Sequence, residues 1–432
     1  MSFIFQSRPL ARWGLAVTAT LVLGLASPDA AWSQADPPTL SLTEALARAK
    51  AADPTLAGSA ARVVAAQANL RQVAVRPNPT VSADLENFAG TGAYALLDRT
   101  EATVSYEQIL ERGGKREARI GRVRAEIEVA QLRRQIRTLD MLRDVQIAYA
   151  EAMAAEAELL IAEARRIAAH QSQADIDRRV KSALDPLFAG SRAEMMTAQA
   201  EIVRDQSRDR ARNARATLAK FWSGDTDFRL ALEPFFEAKN PIIPNTMTTP
   251  DLALLEAERD VAVANIRVEQ SRAVADPTVR AGMRYLGDGS NVAFIVGGTI
   301  PLQRYDTNRS GIERAQAERT AAEADISASR LAREREVAQL TARISASAKE
   351  AERIRAEVIP PAIRSVEQVR EGFNRGGFQY LDVTEAERAL ADARARRVNV
   401  LRQYHLDQAA LDRLTGRHAE ISPSTINAEP RG

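Results

Sequence analysis

From Gly114 to about Lys181 the chain carries no proline and no strong breaker other than Gly121. At ~1.5 Å per residue such a run makes about 100 Å of helix. Within it Leu132, Ile136, Leu139 and Leu142 form an apolar stripe. A second run, from about Ser310 to Val358, carries Val337, Leu340, Ile344, Ser347, Ala351, Ile354 and Val358, which step alternately by 3 and 4. That alternation is the period of a coiled-coil seam, and Ser347 is its one polar break. Many seam positions are alanine, so neighbouring helices can approach closely on two sides. Pro360-Pro361 ends or kinks the second run, whose continuation reaches about Arg375.

Both long helices reverse at comparable places. The first turn reads Lys181-Ser182-Ala183-Leu184-Asp185-Pro186-Leu187, the second Arg375-Gly376-Gly377-Phe378-Gln379-Tyr380-Leu381-Asp382-Val383. Return helices are expected over about 190–222 and 383–415, the latter closing at Gly416, a glycine placed as a C-terminal cap. Upstream, 41–75 reads as helix. Ser41-Leu42-Thr43-Glu44 has the form of a capping box, and Pro54 after Asp53 can open a second helix at its first turn.

Four short runs alternate with a period of two. Val81, Ala83 and Leu85 alternate with Ser82, Asp84 and Glu86, and Ala102, Val104 and Tyr106 with Thr103, Ser105 and Glu107. Val279, Ala281, Met283 and Tyr285 alternate with Arg280, Gly282 and Arg284, and a more apolar run follows. Strands are therefore expected at about 80–88, 101–110, 278–286 and 291–302. Their length of about 9–10 residues crosses a bilayer when the strand is tilted. The alternative, edge strands of a small soluble sheet, would leave each pair without a partner layer between very long helices.

The same order of elements occurs twice. Pro277-Thr278-Val279-Arg280-Ala281 echoes Pro79-Thr80-Val81-Ser82-Ala83 at an offset of about 190–200 residues, far beyond solenoid periods of ~20–50. The first repeat spans 36–222 and the second 251–416, each a helix, two strands and a long helical hairpin. Residues 223–250, with Pro234, Pro241, Pro244 and Pro250, join them, and 417–432 reads as an irregular tail.

Composition agrees with long helices rather than globular α/β cores. Alanine, arginine and glutamate are abundant, and aromatics are 5%. The formal net charge is +2 with the charges interspersed, so no block of nucleic-acid-binding type is present. There is no cysteine, which excludes disulfides, thiolate metal sites and a lipid anchor on an N-terminal cysteine. His170, His405 and His418 are scattered without metal-ligand spacing.

The N-terminus has the form of an export signal. Arg8 and Arg12 precede an apolar core from Trp13 to Leu25, and Ser33-Gln34-Ala35 offers a cleavage site, so residues 1–35 are expected to be removed. The apolar run is short of the ~20 residues a spanning helix needs. No later stretch is apolar enough to span as a helix. β-Spans escape that test.

Four membrane-length strands cannot close a barrel, and open edges in lipid cost several kcal/mol per unpaired polar group. Three chains would supply twelve strands, an even number within the known range. A closed barrel continued by a ring of long helices is a conduit.

The chain resembles the TolC-type outer membrane efflux proteins over essentially its whole mature length. The resemblance rests on Asn78-Pro79 with Leu85-Glu86-Asn87-Phe88, Gln108 with Glu111-Arg112-Gly113-Gly114-Lys115-Arg116, Ile300-Pro301-Leu302 with Asn308-Arg309-Ser310-Gly311-Ile312, and the turn Tyr380-Leu381-Asp382-Val383. The Leu-Glu-Asn-Phe and Gly-Gly-Lys-Arg elements look most like the heavy-metal branch, the cobalt-zinc-cadmium and copper-silver exporters. The resemblance implies a mainly α fold with a β-barrel part. Four transmembrane strands per chain would complete a 12-stranded barrel in a homotrimer, continued by a long α-helical coiled-coil periplasmic tunnel.

It also implies a place in the outer membrane of a Gram-negative bacterium, in contact with its lipid. The implied partners are a periplasmic adaptor (membrane fusion) protein and an inner-membrane resistance-nodulation-division pump. Cargo would be toxic compounds, heavy-metal cations first among them. The alternatives are a duct for drugs or organic solvents, a periplasmic adaptor, or a structural coiled-coil protein. An adaptor has one hairpin between split lipoyl-like halves, and a structural rod would lack the four alternating runs.

The same resemblance assigns residues. Lys181, Ser182, Ala183, Leu184, Gly376, Gly377 and Phe378 would be the adaptor-docking tips. Asp382 and Glu385, spaced to share a helix face, would narrow the periplasmic mouth, three copies of each forming acidic rings that favour cations. Phe188 and Ser191 stand near the equivalent places of the first repeat, so any ring comes from the second alone. Gly113-Gly114-Lys115 lacks the G-x-x-x-x-G-K-[ST] pattern of a phosphate loop and reads as a strand-to-helix joint. His405 reads as packing. No catalytic, cofactor or metal-ligand constellation is visible, and no enzyme activity is expected.

Overall fold

The computed structural model describes residues 38–94, 97–239 and 249–418. The expected export segment 1–35, Pro241 and Pro244 of the joining stretch, and the tail beyond His418 lie outside the described residues.

The chain opens with strand β1 (Thr39–Leu40), helix α1 (Leu42–Ala52) and helix α2 (Pro54–Val73). Ser41 caps α1 by accepting from the Glu44 amide at 3.2 Å, so half of the expected capping box forms, while the Glu44 carboxylate turns to Arg48. Asp53 caps α2 by accepting from the Thr55 amide at 2.7 Å, with Pro54 as its first residue. Strands β2 (Thr80–Glu86) and β3 (Glu101–Ile109) follow, then α3 (Lys115–Lys181), an unbroken helix of 67 residues. Its return is α4 (Leu187–Ala219).

Strand β4 (Arg229–Leu230), which pairs parallel with β1, and the short helix α5 (Glu233–Phe236) lead to the second unit. That unit comprises α6 (Pro250–Arg272), β5 (Thr278–Leu286), β6 (Asn291–Thr299), α7 (Arg309–Arg353), α8 (Ile359–Asn374) and α9 (Tyr380–Thr415). Helix α9 ends at Gly416, whose φ of 70° gives the left-handed cap.

Between α7 and α8 the chain winds as a π-helix over Ile354–Val358. Pro360 and Pro361 have no amide hydrogen, and their rings collide with carbonyls one turn back. The Ile359 amide therefore bonds five residues back, to Ile354, and the helix widens instead of breaking. This shifts the expected seam. Val337, Leu340, Ile344, Ala351 and Ile354 are buried, but Ala348 rather than Ser347 fills the middle position, and Val358 is 47% exposed. A helix at 3.6 residues per turn drifts off a strict heptad, and the π-turn rotates Val358 outward.

The four expected strands form one antiparallel sheet in the order β2-β3-β5-β6. They end slightly earlier than the alternation predicts, at Glu86 and Thr299. The register aligns Val81 with Tyr106, Ala83 with Val104, Val104 with Met283, and Met283 with Phe294. One face is thus continuously apolar, and Phe294 and Val296 on it are 85% and 86% exposed. The other face is polar and sheltered, with Thr103 at 8% and Ser105 at 3%. There Ser82 and Ser105 hydroxyls lie 2.8 Å apart, and Arg284 donates to Thr103 at 2.9 Å and Glu101 at 2.8 Å. Gly282 is needed on this face, because a Cβ there would sit 2.5 Å from the Val104 carbonyl oxygen. Among the described residues β2 and β6 each have one unpaired edge.

Helices α2, α3, α6 and α7 sit side by side in that order, matching the order of the strands they join. Beyond them α3 packs on α4 and α9, and α8 on α9. A collar of β1, α1, β4 and α5 covers one side at mid-length. Its core joins Leu40, Leu46 and Phe235 to Leu142, Val145, Tyr149 and Met153 of α3 and Leu401 of α9. The Tyr149 hydroxyl donates to the Leu40 carbonyl at 3.0 Å.

Candidate functional site

Three places decide whether this chain can be a duct: the joints from strand to helix, the junction at mid-length, and the far tips.

At the first joint Gly113 and Gly114 both have φ of 69°, a conformation that costs an L-residue about 1–2 kcal/mol. A Cβ on Gly113 would also meet the Val274 Cβ at 2.7 Å, so the chain crosses here against the end of α6. Lys115 donates to the Val274 carbonyl at 2.6 Å and pairs with Asp276 at 2.7 Å. Arg116 donates to the Ala74 carbonyl at 2.6 Å, tying down the exit of α2. The Gly-Gly-Lys-Arg run is therefore a strand-to-helix joint, as its sequence suggests.

The second repeat builds its joint from other residues. Asn308, at φ 53°, precedes α7, and its amide donates at 2.8 Å to both the carbonyl and the carboxylate of Glu269. Glu269 is 3% exposed. The Asn308 hydrogen bond, which outweighs the cost of burial, and the nearby Arg272 hold its carboxyl below the usual carboxylate range. Gly311 leaves room for this, since a Cβ would lie 2.3 Å from Asn308 Oδ1.

At mid-length Arg413 near the end of α9 donates to Asp140 of α3 at 2.7 Å and to Asp251 of α6 at 2.9 Å. Arg333 of α7 reaches the same Asp251 at 3.2 Å. One charge network thus clamps four helices of the two repeats. Burial pushes the Asp251 carboxyl up, but Arg413 and Arg333 together hold it below its ordinary value. His405 is half-buried against the collar, stacked on Phe235 at 5.1 Å, with Nε2 2.9 Å from the Phe235 carbonyl. Burial lowers its pKa.

The tips share one design. Where α8 ends, the Gly377 amide donates to the Gly372 carbonyl at 2.9 Å and the Gly376 amide to Phe373 at 3.0 Å, with Gly376 at φ 82°. That pair of bonds is a Schellman motif. Where α3 ends, the Leu184 amide donates to Arg179 at 2.8 Å and the Ala183 amide to Val180 at 3.0 Å, with Ala183 at φ 56°. The turn is the same, but alanine stands where the second repeat has glycine.

The structure brings the two turns together. Arg179 donates to the Phe373 carbonyl at 3.3 Å, lies 4.7 Å from the centre of the Phe373 ring, and pairs with Asp185 at 2.7 Å. Ile176, Ala193, Phe373 and Val383 form the small core beneath. Lys181, Ser182 and Leu184 lie exposed around the first turn, and Gly376, Gly377 and Phe378 around the second. Phe378 packs over Gly372, where a Cβ would be 2.1 Å from the ring.

Asp382, in the first turn of α9, and Glu385, in the second, differ in use. Asp382 accepts from the Gln379 amide at 2.8 Å and completes the capping box of α9, so its carboxylate is partly spent on the helix. Glu385 is exposed and looks into the groove that also holds Arg192 and Arg388. Sequence reasoning missed Arg179. Its partners lie six residues on and in the other repeat, so no helical spacing announces it.

Among the described residues no cluster of His, Asp and Glu is placed to hold a metal ion, and no helix is long and apolar enough to cross a membrane. Neither statement bears on β-strands.

Residues 247–417 match the family described as outer membrane efflux protein. The cobalt-zinc-cadmium resistance protein CzcC of Cupriavidus metallidurans is 27% identical over 425 residues, covering 92% of this chain and 99% of that protein. The second half of the chain thus matches that family, and nearly the whole chain resembles a metal-resistance protein. Among solved structures, the chain superposes on CusC with a TM-score of 0.72 at 15% identity, covering 87% of this chain and 91% of that one. It superposes on the outer-membrane channel OprN with a TM-score of 0.70 at 16% identity, covering 87% and 89%. The fold is that of the TolC-type channels.

Proposed function

We propose that three copies assemble into one exit duct for heavy-metal cations. The carrying observation is the four-stranded sheet, apolar on one face, polar on the other and unpaired at both edges. Pairing β6 of one copy with β2 of the next satisfies those edges. Three copies close a 12-stranded barrel with its apolar face in lipid and its polar face around water. Each strand runs on into one of four adjacent helices, so the ring continues as a tunnel of twelve helices into the periplasm.

The turns at Lys181–Leu184 and Gly376–Phe378 are the docking tips for a periplasmic adaptor, which joins the duct to an inner-membrane resistance-nodulation-division pump. Small residues there let hairpins meet end to end. Glu385, with Asp382 behind it, supplies the acidic ring at the periplasmic mouth. Cargo is read from relatives: besides CzcC, the nickel-cobalt-cadmium resistance protein NccC of Alcaligenes xylosoxydans xylosoxydans is 28% identical over 317 residues.

The test is a deletion strain challenged with zinc, cobalt, cadmium, nickel, copper and organic toxicants. Increased sensitivity to divalent metals, restored by the intact gene, is expected. Sensitivity confined to organic toxicants would replace metals as the cargo.

A further inference from the structure

One groove carries the opposite charge to the acidic mouth. It encloses about 610 Å³ over the upper part of α3, walled by α2 and α6. Arg62 from α2 and Arg133, Arg134 and Arg137 from α3 converge on it, against Glu126 and Glu258. Both acids are already engaged: Glu258 pairs with Arg133 at 2.8 Å and Glu126 with Arg122 at 3.3 Å. The guanidiniums of Arg62, Arg134 and Arg137 have no hydrogen-bond or ion-pair partner among the described residues. Three guanidiniums thus share one wall without a counter-charge.

The groove opens on the side away from the collar. Tyr149, which touches the collar, lies about 160° round the helix from Arg133 and about 120° from Arg137, while Arg134, about 60° from it, sits at the groove's margin. Twelve helices at ~8–10 Å spacing enclose a bore too narrow to hold three collars and still conduct. The collar is therefore outside, and the side of the groove that carries Arg133 and Arg137 faces the bore. That last step rests on the trimeric duct; the groove itself belongs to a single chain.

We propose that this groove binds multivalent inorganic oxyanions of the phosphate and sulfate class, one per protomer. Guanidinium forks match tetrahedral oxyanions bidentately, and three in one groove offer more donors than a univalent anion can use. In the duct, three grooves form a basic zone, the kind of ring that gathers anions. Cations admitted at the acidic mouth then pass a zone where their counter-ions are held.

The experiment titrates hydroxypyrenetrisulfonate, a fluorescent trianion, into the purified full-length protein in detergent, with inorganic phosphate as competitor. Saturable binding of one dye per chain is expected, displaced by phosphate and weakened as ionic strength rises. The variant Arg62→Gln/Arg134→Gln/Arg137→Gln, which removes only exposed and unpaired charges, should lose at least tenfold in affinity. Arg124→Gln, ten residues from Arg134 and so about 15 Å away along the same helix, should bind as the parent does. Absence of saturable binding, or equal binding by the triple variant, overturns the proposal. Failure of the trimeric reading would appear separately, as a particle without threefold symmetry.

Discussion

At the scale of single residues, the matched turns at the two tips make the sharpest contrast. Ala183 adopts the left-handed conformation that Gly376 adopts at the corresponding turn. Ala183→Gly should raise stability by about 1 kcal/mol, and Gly376→Ala should lower it by about the same, read by thermal unfolding. His405 gives a pH signature. Its pKa is lowered in the folded chain by burial, so its contribution is fully present above the ordinary value of 6.5 and is lost as pH falls through the folded value. His405→Gln should flatten the stability profile below pH ~6.5; an unchanged slope would remove His405 as its source.

At the scale of elements, the network around Arg413 fastens the first repeat to the second. Arg413→Ala would remove the link between Asp140 and Asp251, leaving Asp251 to Arg333 alone, and should cost about 3 kcal/mol. Asp251 has a lowered pKa in the folded state, so the stability it contributes is present above its ordinary value of 3.8 and is lost as acidification passes the folded value. Asp251→Asn should abolish that acid-side loss. At the second tip, Gly377 has only the Gly372 oxygen at 3.6 Å near its would-be Cβ. Gly377→Trp should therefore leave folding and assembly intact while abolishing export; undiminished export would withdraw the docking role of this turn.

These elements differ in how far the sequence disclosed them. The long helices and four strands are legible because each follows from a periodicity unbroken by proline. Gly416 and the Asp53-Pro54 pair are legible because their backbone demands are specific. The π-turn at Ile354–Val358 hides behind two prolines that read only as a kink. The exchange of Ala348 for Ser347 in the seam follows from accumulated drift, which spacing alone does not reveal. At the site, the positions of both tips could be read as turns. The bridge from Arg179 to Phe373 could not, because it joins residues from different repeats. Nor could the capping duty of Asp382, which depends on where α9 starts.

At the scale of the whole molecule, a single chain is unfinished. Its sheet exposes Phe294 and Val296 on one side and leaves β2 and β6 with open edges. In the proposed assembly lipid covers the exposed apolar face and a neighbour pairs each edge. A single copy placed in a bilayer would carry two rows of unpaired backbone groups, each costing several kcal/mol. Closure by β6-to-β2 pairing removes both rows at once and turns four adjacent helices per chain into a continuous wall. Electron-microscopic imaging of the purified particle in detergent tests this most directly. The account predicts threefold symmetry, a barrel at one end and an open central bore running along the helical part. A particle with no central hole, or with a number of copies other than three, would contradict it.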